Sequence, residues 1–105
     1  MSEPQLPQSL LRVLASLTVW FKDQNVSYAI IGGAAIGLLG QPRATQDLDA
    51  VTWMDLSETT GFVKSGARFG FFPRISDPIE FALKSRVLLL QHNATKIDVD
   101  ISLGA

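Results

Sequence analysis

Residues 30–51 read IIGGAAIGLLGQPRATQDLDAV, and the order of residue types in this stretch decides the fold. An apolar run ends at the pair Gly32–Gly33, a segment of small and apolar residues follows, and a second apolar run begins around Asp47 and Asp49. This order predicts a buried strand, a glycine turn, a short helix and a second strand. The second strand would therefore begin with two like charges one residue apart, which calls for a chemical reason.

Outward from this stretch, apolar residues recur first at helical and later at strand spacing. The sequence predicts helices over residues 8–23, 34–40, 57–70 and 77–86, strands over 26–33, 47–54, 87–93 and 96–103, and a turn or short strand over 71–76. Ser57 is the expected N-cap of the third helix; Asp77 and Pro78 are the expected cap and first residue of the fourth. This alternation predicts an α/β or α+β domain, a small mixed sheet with flanking helices.

Composition narrows the function classes. The chain has 105 residues, of which 47% are hydrophobic and 18% charged, with a net charge of −1 and no cysteine. One domain over residues 1–105 is expected, disulfides and thiolate metal sites are excluded, and nothing favours a nucleic-acid coat. No signal peptide or membrane-spanning run is present, so the cytoplasm is the expected location. The chain stops directly after an apolar strand, which suggests an N-terminal fragment of a longer protein.

Two pairs of aspartates carry the chemical signal. In a strand, Asp47 and Asp49 would point to one face, about 6.5–7 Å apart along the chain. The segment KIDVDIS repeats the pattern with Asp98 and Asp100. Unpaired buried carboxylates are costly, whereas a divalent cation neutralises them, and an oxygen-only donor set suits Mg²⁺ or Mn²⁺. If the two strands are neighbours, three of these carboxylates would serve a two-metal phosphoryl-transfer site.

The glycine pair supplies a possible phosphate site. Gly32 and Gly33 would let the backbone approach a phosphate closely, and the N-terminus of the following helix would offer N–H groups to an anion. The stretch is not a P-loop, because no Gly-Lys-Ser/Thr follows, and its glycine spacing differs from that of a dinucleotide fingerprint.

Taken together, these residues resemble the core motif of the DNA polymerase β-like nucleotidyltransferase superfamily. That motif runs from an apolar strand through Gly-Gly or Gly-Ser and a short helix to Asp-apolar-Asp on the next strand. The form RATQDLD, residues 43–49, is most similar to the minimal nucleotidyltransferases of toxin–antitoxin and abortive-infection systems, the AbiEii type. The resemblance covers residues 26–103 and implies the nucleotidyltransferase fold, here without the helical C-terminal part that usually completes the nucleotide and acceptor sites.

The resemblance also implies a nucleotide site. Gly32 and Gly33 would hold the triphosphate, Arg43 would lie near the phosphates, and Thr45 would brace the loop. From the residues alone, Arg43 pairing with one of the neighbouring aspartates is an equally open reading.

By the same resemblance, Asp47 and Asp49 would bind the metal ions. Asp100 or Asp98 would be the third acid, which helps to activate the acceptor hydroxyl and joins the metal ligands. Asp100 is favoured because an apolar run follows it, as in the family.

The implied activity is metal-dependent transfer of a nucleoside monophosphate from an NTP to a hydroxyl of tRNA, protein or a small molecule. A toxin or antitoxin partner protein, or a second copy of the chain, is a further expectation. Two alternatives stay open: a non-catalytic binding module with the same fold, and a phosphodiesterase that uses the same carboxylates.

Overall fold

A computed structural model describes residues 8–31 and 47–104 of the chain. Its elements are α1 (Gln8–Asp23), β1 (Ser27–Ile30), β2 (Asp47–Trp53), α2 (Thr59–Gly66), β3 (Phe71–Pro73), α3 (Pro78–Ser85), β4 (Val87–His92) and β5 (Ile97–Gly104), with 3₁₀ turns at Leu56–Glu58 and Ala67–Phe69. The predicted class, a small mixed sheet with helices, is confirmed. The helix predicted over residues 34–40 lies outside the described residues.

The strands form one five-stranded sheet in the order β1-β2-β5-β4-β3. β1 pairs antiparallel with β2, β2 pairs parallel with β5, and β5, β4 and β3 pair antiparallel in turn. The last described strand, β5, therefore lies in the middle of the sheet. The segment from α2 to β4 connects β2 to β5, the two parallel strands.

The core lies on one face of this sheet. Alternate residues of the strands and the apolar stripes of the helices join one cluster of buried side chains. At its centre, the Trp20 ring stacks on Phe62 and Phe71 with centroid distances of 4.3 and 5.1 Å. The Trp20 Nε1 donates a hydrogen bond of 2.8 Å to the Ser65 Oγ, so the one polar atom of this large side chain is satisfied.

The single histidine belongs to this buried face. His92, at the end of β4, is 4% exposed and packs against Phe71. Its Nδ1 lies 2.9 Å from the Thr95 Oγ1 in the turn that leads to β5. Burial lowers the pKa of His92 below its ordinary value, and the positive charge of Arg12 lowers it further. His92 is therefore structural.

One helix start differs from its prediction. Ser57 is not the cap of α2, because the segment opens with the 3₁₀ turn instead. The Asp55 carboxylate accepts a 2.9 Å hydrogen bond from the Ser57 backbone N–H, and this bond holds the pKa of Asp55 below its ordinary value. A competing acid two residues upstream thus caps the turn, whereas α2 starts at Thr59 without a side-chain cap.

The start of α3 agrees with its prediction in position. Pro78 is the first residue of the helix and Asp77 occupies the N-cap position, although the Asp77 side chain makes no capping hydrogen bond. Within the described parts of the chain, no helix has the length and apolar character needed to cross a membrane.

Candidate active site

The two aspartate pairs lie on the face of the sheet opposite the core. In β2, Asp47 and Asp49 are exposed while Leu48 and Ala50 are buried. The same alternation in β5 buries Val99 and its apolar neighbours and leaves Asp98 and Asp100 half-buried. The faces predicted from strand periodicity are therefore confirmed for both pairs.

The parallel pairing of β2 with β5 brings the two pairs into register. Asp47 is the partner of Asp98, and Asp49 is the partner of Asp100. Because neighbouring strands lie about 4.8 Å apart, each carboxylate of one pair has an acid of the other pair beside it. The condition set by the sequence, that the two strands be neighbours, is met.

A guanidinium lies against one of these pairs. Arg74 Nη1 lies 3.0 Å from Asp98 Oδ2, and its Nη2 donates to Asp100 Oδ1. The side chains of Arg74, Asp98 and Asp100 are 25%, 29% and 39% exposed, so water screens these contacts only in part. Arg74 thus gives an acidic patch of four carboxylates one internal positive charge.

The two β5 acids differ in how many partners they have. Asp98 Oδ1 accepts a 3.0 Å hydrogen bond from Gln91 Nε2 on β4, and its other oxygen faces Arg74. Asp100 contacts Arg74 through Oδ1, and its Oδ2 has no hydrogen-bond partner among residues 8–31 and 47–104. Among the described residues, Asp98 thus has two partners and Asp100 has one.

The donor set suits the predicted Mg²⁺ or Mn²⁺ in its chemistry. All four groups are hard carboxylate oxygens on one face of two adjacent strands. However, in the part of the chain that the structure describes, no three acid or histidine side chains are grouped so as to hold a metal ion. Asp98 and Asp100 both contact the Arg74 guanidinium.

The predicted nucleotide-binding residues lie outside the residues that the structure describes. Gly32, Gly33, Arg43 and Thr45 all fall within residues 32–46, outside the described ranges. Ile31, the residue that precedes them, follows β1, which pairs with β2 on the edge opposite β5. The Ile31 N–H donates a 2.8 Å hydrogen bond to the Asp49 carbonyl oxygen.

Sequence reasoning missed the roles of Arg74 and Gln91. Arg74 follows the short strand β3, and its contacts lie 24 and 26 residues further along the chain, so no local pattern indicates them. A weak signal existed, because alternation places Phe72 and Arg74 on the same face and the buried Phe71 on the other. Lys84, another basic residue of this part of the chain, pairs with Glu80.

Comparison with known proteins adds no relative. The chain matches no protein-family model, and no curated protein matches it significantly. The resemblance to nucleotidyltransferases stays a prediction.

Proposed function

We propose that this chain is a metal-dependent nucleotidyltransferase, which transfers a nucleoside monophosphate from an NTP to a hydroxyl and releases pyrophosphate. A hydroxyl of RNA, such as tRNA, or of a protein is the proposed acceptor. A toxin–antitoxin or phage-defence system is the proposed setting. The proposal rests on the motif in residues 30–51 and on the sheet that carries its two aspartates.

One observation supports this function more than any other. Asp47 and Asp49 lie in register with Asp98 and Asp100 on the open face of two parallel strands. In both register pairs the two aspartates are distant in the sequence, so the sheet and not local chain geometry brings them together. Like charges at four adjacent positions repel one another, which a stability role alone does not explain.

The proposed reaction is the one that the resemblance to nucleotidyltransferases implies for these groups. The acceptor hydroxyl oxygen attacks the α-phosphorus of the NTP, the bond from that phosphorus to the bridging oxygen breaks, and pyrophosphate leaves. Asp100, whose Oδ1 contacts Arg74, takes the proton of the hydroxyl on Oδ2. Asp47 and Asp49 together with Asp100 would hold Mg²⁺ or Mn²⁺, which would neutralise charge on the triphosphate.

The direct experiment supplies the chain with each α-labelled NTP, Mg²⁺, and either total RNA or total protein. Label in one polymer with one NTP, together with release of pyrophosphate, is the expected result. Absence of label with every NTP and acceptor would contradict the proposal. Release of monophosphate rather than pyrophosphate would point to the phosphodiesterase alternative.

A non-catalytic binding module is the second candidate, and a specific observation favours it. Arg74 engages two of the four carboxylates. In addition, large apolar side chains are exposed, among them Trp53 at 49% and Phe72 at 44%. Such side chains are typical of surfaces that contact another protein.

Thermal melting separates the two candidates without knowledge of the acceptor. A rise in melting temperature that requires both Mg²⁺ and one particular NTP supports the enzyme, since a ligand that binds only the folded state stabilises it. No shift with any NTP supports the binding module.

A further inference from the structure

The backbone of Arg74 is held beside β4, the strand that its side chain crosses to reach β5. Arg74 N–H donates a 2.9 Å hydrogen bond to the Leu89 carbonyl oxygen and so extends the pairing of β3 with β4 by one residue. Leu89 in turn is the register partner of Asp100 on β5. Two strand spacings amount to about 9.6 Å, a distance that an extended arginine side chain and a carboxylate span together.

The contacts that Arg74 makes suit arginine rather than lysine. Its two terminal nitrogens bind two different carboxylates, Nη1 that of Asp98 and Nη2 that of Asp100. A guanidinium presents several N–H groups in a planar fork, whereas a lysine ammonium is a single point charge. The arrangement therefore fixes the spacing between the two carboxylates and places one positive charge against both.

Asp98 acts as the anchor of this arrangement. Gln91 holds one of its oxygens and Arg74 the other, so the anchor is bound from two strands. Among residues 8–31 and 47–104, Arg74 is the one partner of Asp100, through Oδ1, and this contact directs the carboxylate. Loss of Arg74 would free the Asp100 side chain and leave it beside Asp98 and Asp49 with no compensating charge among the described residues.

We propose that Arg74 is a positioning residue of the transfer site: anchored by Asp98, it orients Asp100 toward the acceptor hydroxyl. The inference rests on the proposed function and adds a residue outside the motif that suggested it. In the transfer reaction, Arg74 holds Asp100 and makes no contact with the NTP.

The kinetic test compares Arg74→Gln, Arg74→Lys and the control Lys84→Gln in the labelled-NTP assay. Arg74→Gln is expected to lower kcat roughly 10- to 100-fold with little change in the KM for NTP, because a displaced group slows the step without weakening binding. Arg74→Lys should recover only part of kcat. Lys84→Gln removes a charge that pairs with Glu80 within α3, and it should match the wild type.

The outcomes separate the two proposals. A normal kcat with a raised KM for NTP in Arg74→Gln would overturn the positioning role and make Arg74 a substrate contact. Wild-type kinetics in Arg74→Gln would overturn it as well, while the proposed function stands. If the wild type transfers nothing, the proposed function fails and the positioning role falls with it.

A second readout does not depend on activity. Melting temperatures of Arg74→Gln, Asp100→Asn and the double variant form a cycle that isolates the interaction between the two side chains. The effect of Arg74→Gln should be smaller when Asp100 is already neutral. Additive shifts would show that Arg74 does not hold Asp100, and would overturn the inference even in an active enzyme.

Discussion

Asp49 of β2 and Asp100 of β5 are direct partners across the parallel pair of strands in the middle of the sheet. Each comes from an Asp-apolar-Asp segment whose central residue, Leu48 or Val99, is fully buried on the other face. The core therefore determines the register of the acids, because a slip by one residue would turn Leu48 and Val99 outward. Changes to the acids should consequently affect chemistry more than folding.

Neutralising either β2 acid should abolish transfer without destabilising the fold. In Asp47→Asn and Asp49→Asn we expect at least a 100-fold loss of transfer, because both side chains are proposed metal ligands. The melting temperature should equal or exceed that of the wild type, since repulsion with the β5 acids is relieved. Glu58→Gln, which removes one exposed charge from the 3₁₀ turn before α2, should retain activity. Transfer at the wild-type rate by Asp47→Asn would refute the assignment.

The two β5 acids should separate stability from activity. Asp98→Asn disturbs contacts with both Gln91 and Arg74, so it should lower the free energy of unfolding by about 1 kcal/mol more than Asp100→Asn does. Asp100→Asn should cause the greater loss of transfer, since Asp100 is the proposed proton acceptor. Urea unfolding and the labelled-NTP assay measure the two effects. The reverse order in the transfer assay would make Asp98 the third acid.

Two glycines of α2 should respond to alanine in opposite ways. A Cβ at Gly66 would lie 2.9 Å from Cζ2 of the fully buried Trp20, and we expect a loss of about 1–3 kcal/mol in unfolding free energy. At Gly61 a Cβ would meet no atom within 4 Å, so the higher helix propensity of alanine should stabilise the protein by up to about 1 kcal/mol. Equal effects in chemical unfolding would contradict the close contact between α2 and Trp20.

The buried histidine should make stability depend on pH. The pKa of His92 is lowered in the folded protein by burial and by Arg12, so the unfolded chain binds more protons near the ordinary value of 6.5. Stability should therefore be fully present above this value and fall as the pH drops through it toward the folded pKa. Melting temperatures between pH 8 and 5.5 measure the effect, and Arg12→Gln should make the decline shallower. A flat wild-type profile would contradict the prediction.

Periodicity in the sequence was sufficient for much of the fold. Helix α1 has the predicted bounds, and the alternation around Leu48 and Val99 gave the correct face for all four acids. Such patterns are local, because the burial of each side chain follows from the geometry of a single element. The pairing of β2 with β5 is not local, so it could not be predicted from the sequence. The shared site of the four acids was therefore predicted only on the condition that these strands are neighbours.

The remaining features depend on contacts between distant segments. Arg74 reaches its acids across β4, and nothing in residues 71–76 specifies which strand lies beside them. The cap predicted at Ser57 failed for a different reason, since Asp55 accepts a hydrogen bond from the Ser57 backbone N–H and caps a 3₁₀ turn that precedes α2. Several acceptors close to a helix start make the cap ambiguous from composition alone.

The central position of β5 has a consequence for the order of folding. This strand is fifth along the chain but third across the sheet, and its parallel partner β2 lies about fifty residues earlier. During synthesis, β2 cannot pair with its parallel neighbour β5 until Ile97–Gly104 has left the ribosome. Contacts of such long sequence separation slow folding, because a large loop closes before they form. The acidic surface therefore exists only once β5 has paired with β2.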